Sequence, residues 1–245
     1  MSIPIISGVI PKPPKVIIHG LSGAGKSTLA AKFKKPLFLD FEGGLSYIDC
    51  DKTPVIQDDR TLAGYIVELI NAAEAKQKQY DTIVFDSIDW AVRLSEERAS
   101  GVVTEDKNGK KQLDLTSTLN KANGGYGGGA TYLENIIKSY LIPRLTTLSE
   151  KGYGICLVAH SERKTLMDAD GVDTDRIAPK IHNKVVAPFI EWADDIFYLK
   201  KENGKHILVL DGDDDVLAKN RQGLTGSVDV DTIDINKLFE VKKEK

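Results

Sequence analysis

The sequence predicts an α/β fold with a mostly parallel central sheet flanked by helices, and two observations lead to this prediction. Near-continuous apolar runs such as KVIIHG and YDTIVFDS have the composition of strands that are buried on both faces. Segments with apolar residues at helical spacing separate these runs, which is the alternation expected of a parallel sheet covered by helices. With 245 residues and a hydrophobic fraction of 41%, the chain is long enough to bury one core of this kind.

The elements follow one another in a regular order. We expect an extended arm or edge strand at residues 1–14, because MSIPIISGVIPKPP alternates apolar residues and then becomes rich in proline. The central domain is expected at residues 15–225 and a C-terminal tail at residues 226–245. Its predicted elements are a strand at KVIIHG, a helix at GKSTLAAKF, a strand at PLFLDFEGG, a helix at TLAGYIVELINAAEAKQKQ, a strand at YDTIVFDS, a helix around residues 132–148, a strand at GYGICLVAHS, and a short helix followed by a C-terminal β-hairpin in FIEWADDIFYLKKENGKHILVLDG. The hairpin is expected to turn at Asn203-Gly204, because this dipeptide favours the positive φ of a tight turn.

Two polar segments interrupt the alternation of strands and helices. Residues 98–130 contain EDKNGKKQ and NGGYGGGA, and so many glycines disfavour both helix and strand. Residues 161–184 carry basic and acidic side chains in equal measure. We expect both segments to form loops.

Composition excludes several classes of protein. The net charge of −3 gives no global basic field for nucleic acid, so a polyanion site would have to be local. The two cysteines, Cys50 and Cys156, are too few and too dispersed for a disulfide framework or a zinc site, which indicates reduced thiols. The sequence has neither a signal peptide nor an apolar run long enough to cross a bilayer. We therefore expect a cytoplasmic protein that is not inserted in a membrane.

A phosphate-binding loop follows the first predicted strand. The stretch fits the pattern G-x-x-x-x-G-K-[ST] and has a strand before it and a helix after it. Its backbone N–H groups would form a nest for phosphates, while Lys26 would reach the β- and γ-phosphates of ATP and the Ser27 hydroxyl would bind Mg²⁺. The residues expected to hold the nucleotide are Gly20, Leu21, Ser22, Gly23, Ala24, Gly25, Lys26, Ser27 and Thr28.

A second acid is needed for the magnesium ion. Asp86 ends the apolar strand TIVFDS, and the carboxyl ends of parallel strands are where such sheets keep their ligands. The alternative is an ordinary aspartate at a strand end. AAA+ ATPases usually have a glutamate base beside this aspartate, whereas the next residue in this chain is Ser87, so the base must come from elsewhere.

Glu42 is the candidate for that base. It follows the strand PLFLD, which comes after the P-loop helix, and Gly43-Gly44 then turns the chain sharply. This position would allow its carboxylate to orient water for attack on the γ-phosphate. Asp40 and Asp49 are competing carboxylates, and a purely structural role for Glu42 is the other alternative.

Taken together, the P-loop, Glu42, Asp86, His160, the glycine-rich GYGGG, IEWADDIFYL and AKNRQG resemble the phage-encoded RecA-like ATP-binding proteins, a family associated with single-strand annealing and recombination. The resemblance extends over about residues 15–225, and only the P-loop motif is strongly specific within it. It implies a RecA-like P-loop NTPase that hydrolyses ATP with Mg²⁺ and assembles as a ring or filament with ATP at subunit interfaces. Single-stranded DNA, and a single-strand-binding protein, are the partners that it implies.

The resemblance also assigns roles to three further residues. His160, in CLVAHSERK, has the position of a polar residue that senses the γ-phosphate in RecA-like proteins, although a lone histidine is often only structural. Lys219 and Arg221 resemble the Lys-Asn-Arg-Phe-Gly motif of the RadA branch, with Gln222 in place of phenylalanine. In that branch these cations reach the ATP of the neighbouring subunit. The alternative is a solvated basic turn.

Two hypotheses of different class follow for the whole protein. The first is an assembling ATPase that acts on single-stranded DNA, with the two polar segments as counterparts of the recombinase DNA-binding loops and Tyr126 as a stacking surface. The second is a nucleotide-gated accessory protein or helicase loader with little hydrolysis, favoured by the near balance of lysines and acids in the first segment. A small-metabolite kinase is disfavoured, because the sequence has no arginine-rich lid segment.

Overall fold

A computed structural model describes residues 3–8, 10–100, 102–105, 111–114, 119, 121–122, 126–167, 171 and 173–239. The strands are β1 (Lys15–Gly20), β2 (Pro36–Asp40), β3 (Asp51–Lys52), β4 (Thr82–Asp86), β5 (Val102–Glu105), β6 (Lys111–Asp114), β7 (Gly154–Met167), β8 (Asp173–Pro179), β9 (Asp195–Glu202), β10 (Lys205–Val209) and β11 (Ser227–Asp229). The helices are α1 (Lys26–Ala30), α2 (Asp59–Glu74), α3 (Ile88–Ser100), α4 (Gly128–Ile136), α5 (Ile142–Glu150) and α6 (Asn183–Trp192), with a π-helical stretch (Ile137–Leu141) between α4 and α5 and a 3-10 helix (Ile235–Phe239) near the end. Across these ranges, no helix has both the length and the apolar character needed to cross a membrane.

One large sheet organises the molecule. Its strands lie in the order β11-β10-β9-β1-β7-β4-β2-β3, and β8 adds to β7 outside this path. All the pairings from β9 to β3 are parallel, whereas β10 and β11 continue the sheet antiparallel beyond β9. The predicted mostly parallel sheet with flanking helices is therefore confirmed. The β9–β10 hairpin turns at Asn203 and Gly204, whose φ values of 50° and 80° are those that the dipeptide was expected to supply.

The two faces of the sheet bury separate cores, and the alternation of side chains along the strands explains why. On β1, Ile17 packs on one face with the apolar sides of α2 to α6, while Val16 and Ile18 pack on the other with α1 and the 3-10 helix. Most positions of a strand buried on both sides are apolar, and this produces the near-continuous apolar run in the sequence. The sheet is thereby fixed between two layers, and its carboxyl edge presents the loops that follow β1, β2 and β4.

The expectation of a loop at residues 161–184 was wrong. β7 continues past His160 to Met167 and pairs antiparallel with β8, so the segment is a β-hairpin that leads into α6. The charged side chains led to the wrong prediction of a loop. A hairpin whose faces meet solvent can carry charges that a central strand of the sheet cannot. Buried Lys164 donates hydrogen bonds to the Ile181 carbonyl at 2.6 Å and to Asn183 Oδ1 at 2.7 Å, which ties the hairpin to the start of α6.

The expectation of a loop over residues 98–130 also needs correction. α3 continues to Ser100, β5 and β6 pair as an antiparallel two-stranded sheet, and α4 already begins at Gly128. Most of the remaining residues of this segment, including Lys107 and Lys110, lie outside the described residues.

The N-terminal and C-terminal segments differ in how they pack against the sheet. Residues 3–8 and 10–14 form neither helix nor strand, and the side chains of Ile3, Ile5 and Ile6 are largely exposed. At the other end, β11 forms the edge of the sheet, Ile235 is fully buried, and the Phe239 ring stacks on Phe33 at 5.7 Å. The folded body thus continues past the boundary expected at residue 225 and reaches at least residue 239.

Candidate functional site

The P-loop forms a turn between β1 and α1. Gly25 immediately precedes α1 with φ of 90°, a left-handed conformation that glycine adopts without strain. At Gly20, a Cβ atom would lie 2.3 Å from the Leu199 carbonyl oxygen, so only glycine allows β9 to approach this closely. The loop therefore has the backbone shape that a phosphate nest requires.

Lys26 and Ser27 point their functional groups toward the same side. The Lys26 side chain is buried, and its ammonium donates a hydrogen bond to the Leu21 carbonyl at 3.0 Å. Burial lowers the pKa of Lys26, while the nearby carboxylates of Asp86, Asp89 and Glu42 oppose this shift. The Ser27 hydroxyl lies close to Asp86 and lowers the pKa of that carboxyl. A lysine and a backbone nest are suited to bind an anionic ligand. The acids close to them are suited to a metal ion that is bound together with that ligand.

Asp86 ends β4 next to this loop and is also buried. Burial raises its pKa to about 6; the neighbouring Ser27 hydroxyl lowers it, and the charges of Glu42 and Asp40 raise it further. A buried carboxylate with two acidic neighbours is stabilised when a cation is held beside it. Carboxylate and hydroxyl oxygens are the ligands that Mg²⁺ prefers, so Ser27 and Asp86 fit a magnesium site by their chemistry and because both line the same cleft.

Asp40 and Glu42 have different surroundings although they end the same strand. Asp40 Oδ1 accepts hydrogen bonds from the backbone N–H groups of Glu42 at 3.0 Å and Gly43 at 2.7 Å, which shapes the turn after β2. The Glu42 carboxylate accepts a short hydrogen bond from the Ser87 hydroxyl and lies 3.8 Å from His160 Nδ1. Both acids line the cleft beside the P-loop, but Asp40 is occupied by backbone N–H groups whereas the Glu42 carboxylate is held by a side chain.

His160 is paired with an aspartate that sequence analysis missed. Asp89, in the first turn of α3, accepts hydrogen bonds from the His160 backbone N–H at 3.1 Å and from His160 Nδ1 at 2.9 Å. Burial raises the pKa of Asp89, but the hydrogen bonds from the ring and the backbone N–H of His160 outweigh it and bring the pKa below its ordinary value. The hydrogen bond to Asp89 in turn raises the pKa of His160. The spacing of Asp89 from Asp86 at the strand-to-helix turn was the signal in the sequence that could have revealed it.

These groups meet in one cleft at the carboxyl edge of the sheet. Its volume is about 360 Å³. The side chains and loop residues that line it are Ser22, Gly23, Gly25, Lys26, Ser27, Thr28, Asp40, Glu42, Gly44, Ile48, Asp86 and His160. The structure therefore brings together the P-loop, Glu42, Asp86 and His160 as expected from strand ends that share an edge. Asp49, the other competing carboxylate, is not among the lining residues.

Lys219 and Arg221 lie elsewhere. The Lys219 backbone pairs with Ile196 near the start of β9, and its ammonium donates to the Ile190 carbonyl, while Arg221 Nε is 3.2 Å from Asp194 Oδ1. The register of β9 on β1 places Ile196 beside Ile17, three residues or about 10 Å before Gly20 at ~3.3 Å per residue. These cations are thus separated from the cleft of their own chain.

Gln222, which departs from the resembled motif, has its own partner. Its side-chain amide donates to Asp195 Oδ2 at 3.0 Å, and Asp195 is fully buried. A phenylalanine could not satisfy this carboxylate, so the glutamine is matched to the buried acid beside it.

Comparison with known proteins agrees with this geometry. Residues 12–222 match the family described as the AAA domain. A relative from Bacillus subtilis (strain 168), the SPbeta prophage-derived uncharacterized protein YorG, is 26% identical over 184 residues, which cover 75% of this chain and 50% of the relative. The chain thus spans about half the length of that relative. Because the AAA match covers most of the chain and includes the P-loop and every residue of the cleft, the chain belongs to the AAA domain family of P-loop ATPases.

Proposed function

We propose that the protein binds ATP with Mg²⁺ in this cleft and hydrolyses it to ADP and phosphate. The observation that carries the proposal is the placement of Glu42, which lines the cleft together with the P-loop and whose carboxylate is held by the Ser87 hydroxyl. A fixed carboxylate at the far side of a phosphate site is what water activation requires.

The residues of the cleft have different roles in binding and hydrolysing ATP. The P-loop backbone and Lys26 hold the β- and γ-phosphates, and Ser27 and Asp86 hold the metal ion. Bound Mg²⁺ would neutralise charge on the phosphates. Glu42 orients the attacking water and accepts its proton, and Ser87 keeps the Glu42 carboxylate in position.

His160 is suited to report the state of the γ-phosphate. It lies on β7 opposite Gly20, lines the cleft, and is 3.8 Å from Glu42. The same strand continues into the β7–β8 hairpin, so a shift of His160 would be passed along a continuous backbone. This is the role that the RecA-like resemblance implies for it.

We further propose that the ATPase acts on single-stranded DNA as a ring or filament in phage recombination or annealing. A prophage protein among its relatives supports the association with phage. Tyr126 is fully exposed, adjoins Gly127 at the start of α4 and offers a stacking face for a base. Arg221 retains an exposed side chain far from its own cleft, which suits a cation supplied to the ATP of a neighbouring subunit.

A nucleotide-gated accessory or helicase-loader role with little hydrolysis is the second candidate. The β7–β8 hairpin favours it, because two of its basic side chains are paired with acids: Lys164 with Glu162 at 2.6 Å, and Arg176 with Asp214 at 4.0 Å. Paired cations neutralise few phosphates, so binding of DNA through this hairpin would be weak.

One experiment separates these candidates. ATP turnover per chain is measured over a range of protein concentrations, with and without a single-stranded oligonucleotide, and light scattering on a size-exclusion column follows assembly. The DNA-acting ATPase gives turnover that rises with concentration and with DNA, together with a larger assembly in Mg-ATP. Assembly that depends on ATP, with turnover that stays negligible under all conditions, would support the accessory role instead.

A further inference from the structure

The order of the strands indicates on which side of β1 each end of a bound nucleotide would lie. Glu42, Asp86 and His160 come from β2, β4 and β7, and all three strands lie on one side of β1 in the sheet. The terminal phosphate must point toward that side if these groups act on it. The nucleoside end then leaves the P-loop toward the other side of β1, where β9 and β10 lie.

A histidine stands at the position where the nucleoside would emerge. His206, on β10, packs directly on the P-loop, since a Cβ atom added at Gly25 would lie 3.2 Å from its ring. A small cavity of about 60 Å³ opens there and shares Gly25 and Thr28 with the large cleft. The remaining residues that line it are Leu29, Lys32, His206, Val230 and Asp231.

The ring of His206 is held in place. Its Nδ1 is 3.0 Å from Asp231 Oδ2, and Asp231 Oδ1 is 3.6 Å from the Lys32 ammonium. The His206 carbonyl accepts a hydrogen bond from the Val230 backbone N–H at 2.9 Å, and the Val230 carbonyl accepts one from Lys32 at 3.0 Å. The side chain is still 32% exposed, so an oriented aromatic surface faces solvent at the edge of the phosphate site.

We propose that His206, oriented by Asp231, is the residue against which the nucleoside part of the bound nucleotide packs. The proposal rests on the proposed binding of a nucleoside triphosphate at the P-loop and adds the residue that recognises its non-phosphate half. The rings of histidine and a nucleobase interact by stacking and by contact of their edges, and a ring already held by a carboxylate loses little freedom when the nucleotide binds. His206 is a positioning and affinity residue here, with no part in the chemical step.

The test compares a nucleotide with its phosphate chain alone. Binding of the Mg²⁺ complexes of a non-hydrolysable ATP analogue and of inorganic tripolyphosphate is measured by calorimetry for the wild-type protein and for His206→Ala. The variant is expected to bind the ATP analogue roughly tenfold more weakly, which is within the range for loss of one base-stacking contact, and to bind tripolyphosphate as the wild type does. Lys205→Ala is the matched control, because Lys205 is the neighbour on β10 whose side chain points to the opposite face, and it should change neither affinity.

The outcomes are distinct. Equal weakening of both ligands in His206→Ala would show that the histidine only shapes the P-loop, and an unchanged affinity for the ATP analogue would also overturn the proposal. Failure of the wild-type protein to bind either ligand would instead refute the nucleotide site itself. NMR of the wild-type imidazoles gives a readout that needs no variant: the His206 signals should shift with the ATP analogue more than with tripolyphosphate, and equal shifts would contradict the assignment.

Discussion

His19 allows a quantitative test of how burial affects the stability of the protein. It is fully buried at the end of β1, one residue before the P-loop. Its Nε2 is 2.7 Å from the Leu217 carbonyl and its Nδ1 is 2.9 Å from the Ser161 hydroxyl. The carbonyl can only accept a hydrogen bond, so Nε2 carries the proton and Nδ1 accepts from Ser161 in a neutral ring. Burial lowers the pKa of His19 from 6.5 to about 4.

The sign and size of the effect on stability follow from linkage. The unfolded state binds the proton more tightly than the folded state, so stability is full above the unfolded pKa of 6.5 and falls as the pH drops toward about 4. Between about pH 8 and about pH 5, this one group should remove roughly 2 kcal/mol from the free energy of unfolding. Acids such as Asp86, whose pKa is raised, act in the opposite direction over part of this range, so the wild-type profile alone does not isolate His19.

The assay is therefore a comparison of two proteins. Urea unfolding is measured at about pH 8 and about pH 5 for the wild type and for His19→Gln, which keeps a polar side chain but cannot gain a proton in this range. The variant should be the less stable protein at the higher pH. The difference in the free energy of unfolding between the two proteins should shrink by roughly 2 kcal/mol at the lower pH. If this difference is the same at both pH values, His19 is not held neutral in the folded protein, and the reasoning from its burial fails.

Three other substitutions test the cleft and the proposed assembly. Asp89→Asn should lower the pKa of His160, seen by NMR titration of the imidazole, because the neutral amide no longer stabilises the imidazolium; an unchanged titration would mean that the pair does not interact in solution. Ser87→Ala should reduce turnover about tenfold or more at nearly constant ATP affinity, since Glu42 loses the hydroxyl that holds it, and an equal loss of affinity would assign Ser87 to binding. Arg221→Ala should lower turnover at protein concentrations that favour assembly and leave ATP affinity nearly intact, whereas full turnover of the variant under those conditions would contradict a role for Arg221 in trans.

The part of the site that could be predicted from sequence is the part fixed by strand ends. Gly25 and Lys26 belong to a local motif, and Asp86 and Glu42 each follow an apolar run, so the parallel sheet alone brings them to one edge. The spacing of Asp89 from Asp86 is visible in the sequence, but the pairing of Asp89 with His160 is not, because His160 is 71 residues away and only the tertiary fold joins them. Contacts of this kind depend on side-chain direction at the start of a helix, which periodicity does not report.

The errors in the fold have a related physical origin. Charge in the segment after His160 indicated a loop, yet β7 and β8 pair there with Thr165 donating a hydrogen bond to Asp175 at 2.6 Å across the ribbon. Cross-strand pairs of polar residues stabilise a hairpin whose faces meet water, and composition alone cannot distinguish them from a loop. Likewise His206 lies far along the chain from the P-loop, so its contact with Gly25 became visible only in three dimensions.

Separate measurement of ATP binding and ATP hydrolysis in Glu42→Gln tests the central claim most directly, with the wild type as reference. The account predicts that the variant binds Mg-ATP with nearly wild-type affinity and hydrolyses it at least about a hundredfold more slowly, because the amide cannot accept the proton of the attacking water. Wild-type turnover in Glu42→Gln would contradict the account.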